Sequence, residues 1–261
     1  MSTSSETDAD LLLSLDRARV YRALAQLFRK PDGESCGEAR QRSLPELCGA
    51  LERLADGSHL ADGSQLADGS DLAEGSDLIQ EARTLRELFE DAGVERLCKG
   101  HDSAFDESSA IRCAPTEMDQ LGGAPQLELT RTFEMADVSG FYKAFGVEVA
   151  ECGERVDHIA AELEFMNLLA VKEAVALQEE GEGEHAQICR NASRVFLRDH
   201  LVRWAPRLGE CLAEAEGDPV YSAAGRLLGR FIVFDAERID AEGAPVHVVD
   251  PTAEQERPES F

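Results

Sequence analysis

From Asp8 to Arg29 the chain reads DADLLLSLDRARVYRALAQLFR, with Leu13, Val20, Leu24 and Leu27 or Phe28 at helical spacing before Lys30-Pro31-Asp32-Gly33 breaks the pattern. This is an amphipathic helix. Leu44 to Leu54 reads as a second helix and Leu78 to Leu97 as a third, with Leu78, Leu85, Leu88 and Phe89 on one face. Residues 98 to 132 read as irregular, because Gly100, Pro115, Gly122, Gly123 and Pro125 interrupt any long element. Helical spacing resumes from Ala136 to Phe145, where Val138, Phe141, Tyr142 and Phe145 form an aromatic face and Gly146 is placed to end the helix. A long helix follows from Asp157 to about Glu180, then helices from Glu184 to Arg203, Pro206 to Glu216 and Pro219 to about Arg238. Nothing in this half alternates as a strand does, so the pattern predicts an all-α fold.

In the long helix Ile159, Leu163, Met166, Ala170, Ala174 and Leu177 make one apolar stripe, widened by Phe165, Leu168 and Leu169. A stripe that wide belongs to a helix surrounded by others. Its head is polar. Asp157 is placed to cap the first free amides, and His158 and Glu162 stand one turn apart on one face, where an imidazole and a carboxylate can pair or meet a common ligand.

Residues 55 to 78 form a tandem hexapeptide, ADGSHL, ADGSQL, ADGSDL and AEGSDL, with leucines at 54, 60, 66, 72 and 78. A period of six fits neither a helix face nor an alternating strand. So few copies cannot build a β-helix, and the Asp-Gly pairs lack the ligand spacing of an EF-hand. Gly, Ser and Asp content predicts a flexible, recently expanded loop. After Gly243 the polar tail reads as mobile. The expected organisation is therefore one helical domain over 1–243, interrupted by the 55–78 insertion and followed by an acidic tail over 244–261.

A chain of 261 residues buries roughly 70 to 75% of its unfolded surface without help from metal or disulfide. Its 26 basic and 52 acidic residues give a net charge of −26, and only Lys30, Lys99, Lys143 and Lys172 are lysines. That balance excludes a nucleic-acid binder. Acid excess with scarce lysine resembles the proteins of a salt-loving microbe, whose surface carboxylates are screened when the Debye length falls to about 3 Å in molar salt. The seven cysteines have no C-x-x-C spacing and predict free, packed thiols in a reducing cytoplasm. The N-terminus is polar and acidic, and no apolar run reaches the length of a membrane span, so a cytoplasmic location is expected.

The chain carries no phosphate-binding loop, G-x-S-x-G, H-E-x-x-H or dinucleotide fingerprint. His158 and Glu162 alone do not make a metal site, which needs further donors from elsewhere. No catalytic residue, metal or cofactor is therefore assigned.

Glu154-Arg155-Val156-Asp157-His158-Ile159, continued by Glu162-Leu163-Glu164-Phe165-Met166, resembles the E-x-P-D-H…E-L-x-F-M signature of the TorD/DmsD/NarJ-like chaperones. The opening ARVYRALAQLF, the segment ADVSGFYKAFG over 136–146, and Phe196-Leu197-Arg198-Asp199-His200-Leu201 leading to Trp204-Ala205-Pro206 extend the resemblance over most of the chain apart from the repeat and the tail. Val156 replaces the family's proline, and Cys113-Ala114-Pro115-Thr116-Glu117 resembles a degraded C-P-P-Y-E segment without its tyrosine.

The resemblance implies a single helical bundle of the TorD-like type that acts as a cytoplasmic chaperone in molybdoenzyme maturation. Such proteins bind the twin-arginine signal peptide or the apo catalytic subunit until the molybdenum cofactor is inserted, before export, and they are not catalysts. A receptor for paired guanidinium groups followed by an apolar stretch needs carboxylates beside an apolar groove. Asp157, Glu162 and Glu154, with His158 as a hydrogen-bonding partner, are expected to supply the first, and Phe141, Tyr142 and Phe145 to line the second. Two rivals stay open: a NarJ-type chaperone acting on the mature apo-subunit without its leader, and a metal- or nucleotide-dependent hydrolase using His158 and Glu162. Which molybdoenzyme is the client, and whether the chaperone is a monomer or a homodimer, stay open too.

Overall fold

The computed structural model describes residues 3–56, 69–105, 113–121, 128–147, 155–179 and 183–240. They form eleven α-helices and no strand: α1 (Thr3–Phe28), α2 (Gly33–Glu38), α3 (Leu44–Ala55), α4 (Gly69–Asp91), α5 (Val94–Phe105), α6 (Glu117–Gln120), α7 (Glu128–Ala144), α8 (Ile159–Gln178), α9 (Gly183–Phe196), α10 (Val202–Glu214) and α11 (Pro219–Asp240). Among the described residues no helix is long and apolar enough to cross a membrane.

The apolar stripe of α8 is buried as its width requires: Ile159, Leu163, Phe165, Met166, Leu169 and Ala170 are all in the core. Its main neighbours are α1 and α9, while α10 lies along α11, and α3 and α4 pack together against α1 and α11. Tyr21 of α1 meets Phe231 of α11 edge to face at 5.1 Å. Beside that contact the buried Arg17 guanidinium grips Asp235 through Nε at 2.8 Å and Nη2 at 3.0 Å, and the Tyr21 hydroxyl donates to the same carboxylate. A buried charge this far from water needs such pairing, and here it ties the first helix to the last.

Four stretches differ from the sequence expectations, the first being the helix read over 78–97, which breaks at Ala92 and Gly93 between α4 and α5. The repeat is not a loop throughout, because α4 starts at Gly69 and its closing copies are helical. Gly75 explains why: a Cβ there would lie 2.7 Å from the Ala55 Cβ, so glycine lets α4 close against the end of α3 and seat Leu78 in the core. The stretch read as irregular from 98 onward contains most of α5 and the start of α7. Gly100 sits inside α5 where a Cβ would meet Tyr221 and Asp218, so this glycine serves close packing on α11 rather than a break. The interruption expected before Pro206 falls earlier, at a π-helical turn over Leu197–Leu201 that joins α9 directly to α10, with Pro206 inside α10. Gly146 does end its helix region, with a φ of 76°.

Cysteine pairing also departs from expectation. Cys113 and Cys211 form a disulfide, while Cys36, Cys48, Cys98 and Cys189 remain thiols. The fold brings together two cysteines 98 positions apart in the sequence, which spacing alone does not show.

Candidate functional site

The head of α8 is built by two short segments clasped together. The Ile159 amide donates to the Pro115 carbonyl at 2.8 Å and the Glu117 amide to the Asp157 carbonyl at 2.9 Å, around an isolated antiparallel bridge between Thr116 and His158. His158, rather than Asp157, is the N-cap residue, its Nδ1 accepting the Ala160 amide at 3.2 Å. Asp157 stands one position too early to cap and instead turns inward, where Oδ2 accepts the Met118 amide at 3.2 Å.

Three carboxylates meet under this clasp, and each is fully buried: Glu117, Asp157 and Glu162. Each has a different partner. Arg155 forks onto Asp157, Nε to Oδ1 at 2.9 Å and Nη2 to Oδ2 at 2.8 Å, and its Nη1 reaches Asp119 at 3.0 Å. Glu117 receives His200 Nδ1 at 3.1 Å and has Arg203 Nη1 at 3.8 Å, the same nitrogen donating to Glu134 at 3.1 Å. Glu162 accepts the Trp204 indole N–H at 3.1 Å on Oε2, while its Oε1 has no partner.

Burial, aided by the nearby charges of Glu117 and Asp157, pushes the Glu162 carboxyl well above its ordinary range despite the Trp204 hydrogen bond. Its neutral form is thereby favoured beyond that of an ordinary carboxyl. Asp157 and Glu117 are each faced by a guanidinium, from Arg155 and Arg203 respectively.

The two histidines are pulled in opposite directions. Burial, with the positive surroundings of His101, Arg155 and Arg29, lowers His158 to about 4. Burial also works against the charged form of His200, but the Glu117 hydrogen bond and the charges of Glu117, Asp137 and Glu134 outweigh it and raise the group. His200 Nε2 makes no hydrogen bond, although an Asp137 carboxylate oxygen stands 3.3 Å away. Glu117, Glu134 and His200 lie close enough for one atom of each to surround a cation. Arg203 already supplies positive charge between the two carboxylates, and a raised His200 is a poor ligand, so the group is arranged as an ion-pair cluster.

The aromatic residues expected to line a groove face inward. Phe141 packs on Phe196 at 5.3 Å and Phe165 at 6.3 Å, and Phe145 on Phe165 at 5.9 Å. Tyr142 is buried, its hydroxyl donating to the Val156 carbonyl at 2.8 Å and so bracing the turn that carries Asp157. Phe141 and Phe145 are only partly buried against this core. Among the described residues of α7 the exposed large apolar side chain is instead Phe133, 73% exposed and one helical turn from Asp137. Glu154 lies outside the described residues.

The structure thus gathers Asp157, His158 and Glu162 with Tyr142 close by. It adds Glu117, Asp119, Arg155, His200, Arg203 and Trp204, which the sequence reading did not place in the site. Four of them, Glu117, Arg155, His200 and Trp204, lie in segments that carry the family resemblance.

Residues 73–210 match the nitrate reductase delta subunit family, a span that contains every residue of this cluster. The chain is 32% identical over 204 residues to the perchlorate reductase assembly chaperone protein of Dechloromonas aromatica, covering 74% of this chain and 76% of that protein. It is 31% identical over 124 residues to the selenate reductase assembly chaperone protein of Thauera selenatis, covering 47% of this chain and 61% of the relative. Against the chaperone protein TorD of Aliivibrio fischeri the identity is 28% over 156 residues, 59% and 68% of the two chains. No solved structure matches the chain. The chain belongs to the nitrate reductase delta subunit family, among the molybdoenzyme maturation chaperones, and is not an enzyme.

Proposed function

We propose that this chain is a cytoplasmic chaperone that binds the twin-arginine leader of an apo-molybdoenzyme catalytic subunit while its cofactor is inserted and before export. The observation that carries this reading is the Asp157–Asp119 pair, whose carboxylate oxygens converge on one guanidinium at the protein surface. A guanidinium seated between two carboxylates is the arrangement that arginine recognition requires. Phe133, exposed on α7 beside Glu134 and Asp137, offers apolar surface for the stretch that follows the arginines.

The test is calorimetry with a synthetic twin-arginine leader and a twin-lysine control, on the full chain. Lysine lacks the fork geometry, so the arginine peptide binds and the lysine peptide does not. Equal affinity for the two removes this cluster from the leader site.

A second reading, recognition of the mature apo-subunit without its leader, is favoured by the full burial of Asp157 and Glu162, which closes those two carboxylates to a client. A pull-down comparing client with and without its leader separates the two. The acid excess supports the further reading that the host cytoplasm is salty. Under such conditions steering is weak, and affinity rests on short hydrogen-bonded pairs and apolar burial.

A further inference from the structure

The Asp157 carboxylate is inaccessible to solvent, yet the group that covers it is not. Arg155 lies two residues upstream, its side chain 46% exposed, and occupies both carboxylate oxygens at once. On the same side its third nitrogen closes onto Asp119, itself 29% exposed. The buried carboxylate therefore meets the surface through a guanidinium of the same chain. A client arginine that approaches finds the Asp157 fork geometry already satisfied.

The other two buried acids offer no substitute. Glu117 is held by His200 and Arg203, and the fully buried Glu162 accepts the Trp204 indole N–H. Adding a second guanidinium beside Arg155 would bring like charges together over one carboxylate. Replacing Arg155 keeps the charge and both hydrogen bonds unchanged.

We propose that Arg155 holds in cis the seat that a leader arginine takes in the complex, so that binding exchanges one guanidinium for another at Asp157 and Asp119. The inference rests on the leader reading above and goes beyond it by naming the competitor. Arg155 swings outward on the surface while the incoming side chain forks onto Asp157. Affinity is then set by the fraction of molecules in which the seat is free, and removal of the occupant raises it. The exchange selects arginine over lysine, because only a planar fork replaces both lost bonds.

The experiment measures binding of a twin-arginine and a twin-lysine leader peptide to the wild-type chain, Arg155→Gln and Arg155→Lys at one salt concentration. Removing the cis competitor is expected to tighten twin-arginine binding by about tenfold in Arg155→Gln, with a smaller gain in Arg155→Lys and none for the twin-lysine peptide. A folded Arg155→Gln chain with unchanged or weaker twin-arginine binding overturns the exchange, while wild-type preference for arginine over lysine would leave the leader reading standing. Failure of both wild type and Arg155→Gln to bind the twin-arginine peptide overturns both. Should Arg155→Gln not fold, nitrogen NMR of the wild-type Arg155 Nε–H decides. Release of that proton to solvent exchange on adding peptide sustains the exchange, and an unmoved resonance in the bound complex overturns it.

Discussion

Trp204 donates its indole N–H to Glu162 Oε2 at 3.1 Å, so the only tryptophan of the chain reports directly on the buried acid at the head of α8. Both side chains are excluded from solvent. The pair joins α8 to α10 across the centre of the cluster and makes its protonation optically visible.

Because burial raises Glu162 above its ordinary range, the folded chain keeps a proton there that the unfolded chain releases as pH rises past the ordinary carboxylate value. The folded state is therefore the more protonated, and stability falls as pH rises. Glu162→Gln removes the titration while preserving an acceptor for Trp204. Urea midpoints are expected to fall less with pH in the variant, and the alkaline change in Trp204 emission is expected to vanish. Identical emission titrations in both chains would place the titrating group elsewhere.

His158 and His200 define opposite pH windows. The unfolded chain takes a proton at His158 below about 6.5, whereas the folded chain resists until about 4, so this contribution is complete above 6.5 and is lost as pH falls through that interval. It amounts to at most about 3 kcal/mol. His200 is raised in the fold, so its contribution is complete below its unfolded value and lost as pH rises through the folded one. His158→Asn, which keeps a capping oxygen, is expected to flatten the acid limb of a stability profile, and His200→Gln the limb on the other side.

Asp157 tests structure and binding together. Asp157→Ala strands the Arg155 fork and frees the Met118 amide, which is expected to cost on the order of 3 kcal/mol in urea unfolding. Asp157→Asn keeps the acceptor for Met118 and is expected to cost less than half of that. Binding of the twin-arginine leader is expected to weaken more than about tenfold in the better-folded Asn variant. Unchanged affinity by calorimetry would remove Asp157 from the client site.

The Cys113–Cys211 bridge closes a loop of about a hundred residues, for which the chain-entropy model gives at most about 5 kcal/mol. Cys211→Ser is expected to lower Tm by roughly 10 °C, and peptide mapping without reductant to recover the two cysteines cross-linked. Equal Tm values with and without a dithiol reductant would show that the bridge is absent in solution.

At a net charge of −26 the chain is expected to loosen in dilute buffer and to tighten in molar KCl, where screening shortens the reach of repulsion to about 3 Å. Circular dichroism and thermal unfolding at both salt levels check this. Identical curves would count against a salt-adapted surface.

Much of the bundle was legible because burial follows period. The helix expected over 8–29 is α1, that over 44–54 is α3, and the wide stripe from Ile159 is buried as α8. What stayed hidden depends on contacts between distant segments. Gly75 and Gly100 read locally as breakers, yet each permits a close helix approach that outweighs propensity. The choice of His158 over Asp157 as cap follows from the bridge to Thr116, 42 positions upstream, which no local pattern reveals. Of the candidate site, the acids at 157 and 162 and the imidazole at 158 were visible as a motif. Their partners were not, because Glu117, Arg203 and Trp204 reach them only through the fold.

The disulfide has a mechanical consequence. Glu117, Asp157, His158, Glu162, His200 and Trp204 all lie between Cys113 and Cys211, so the whole cluster sits inside one covalent ring. A force applied to the two ends of the oxidised chain, in optical tweezers or by an unfolding motor, draws out only the arms on either side. The ring withholds roughly 330 Å of contour length until it is reduced.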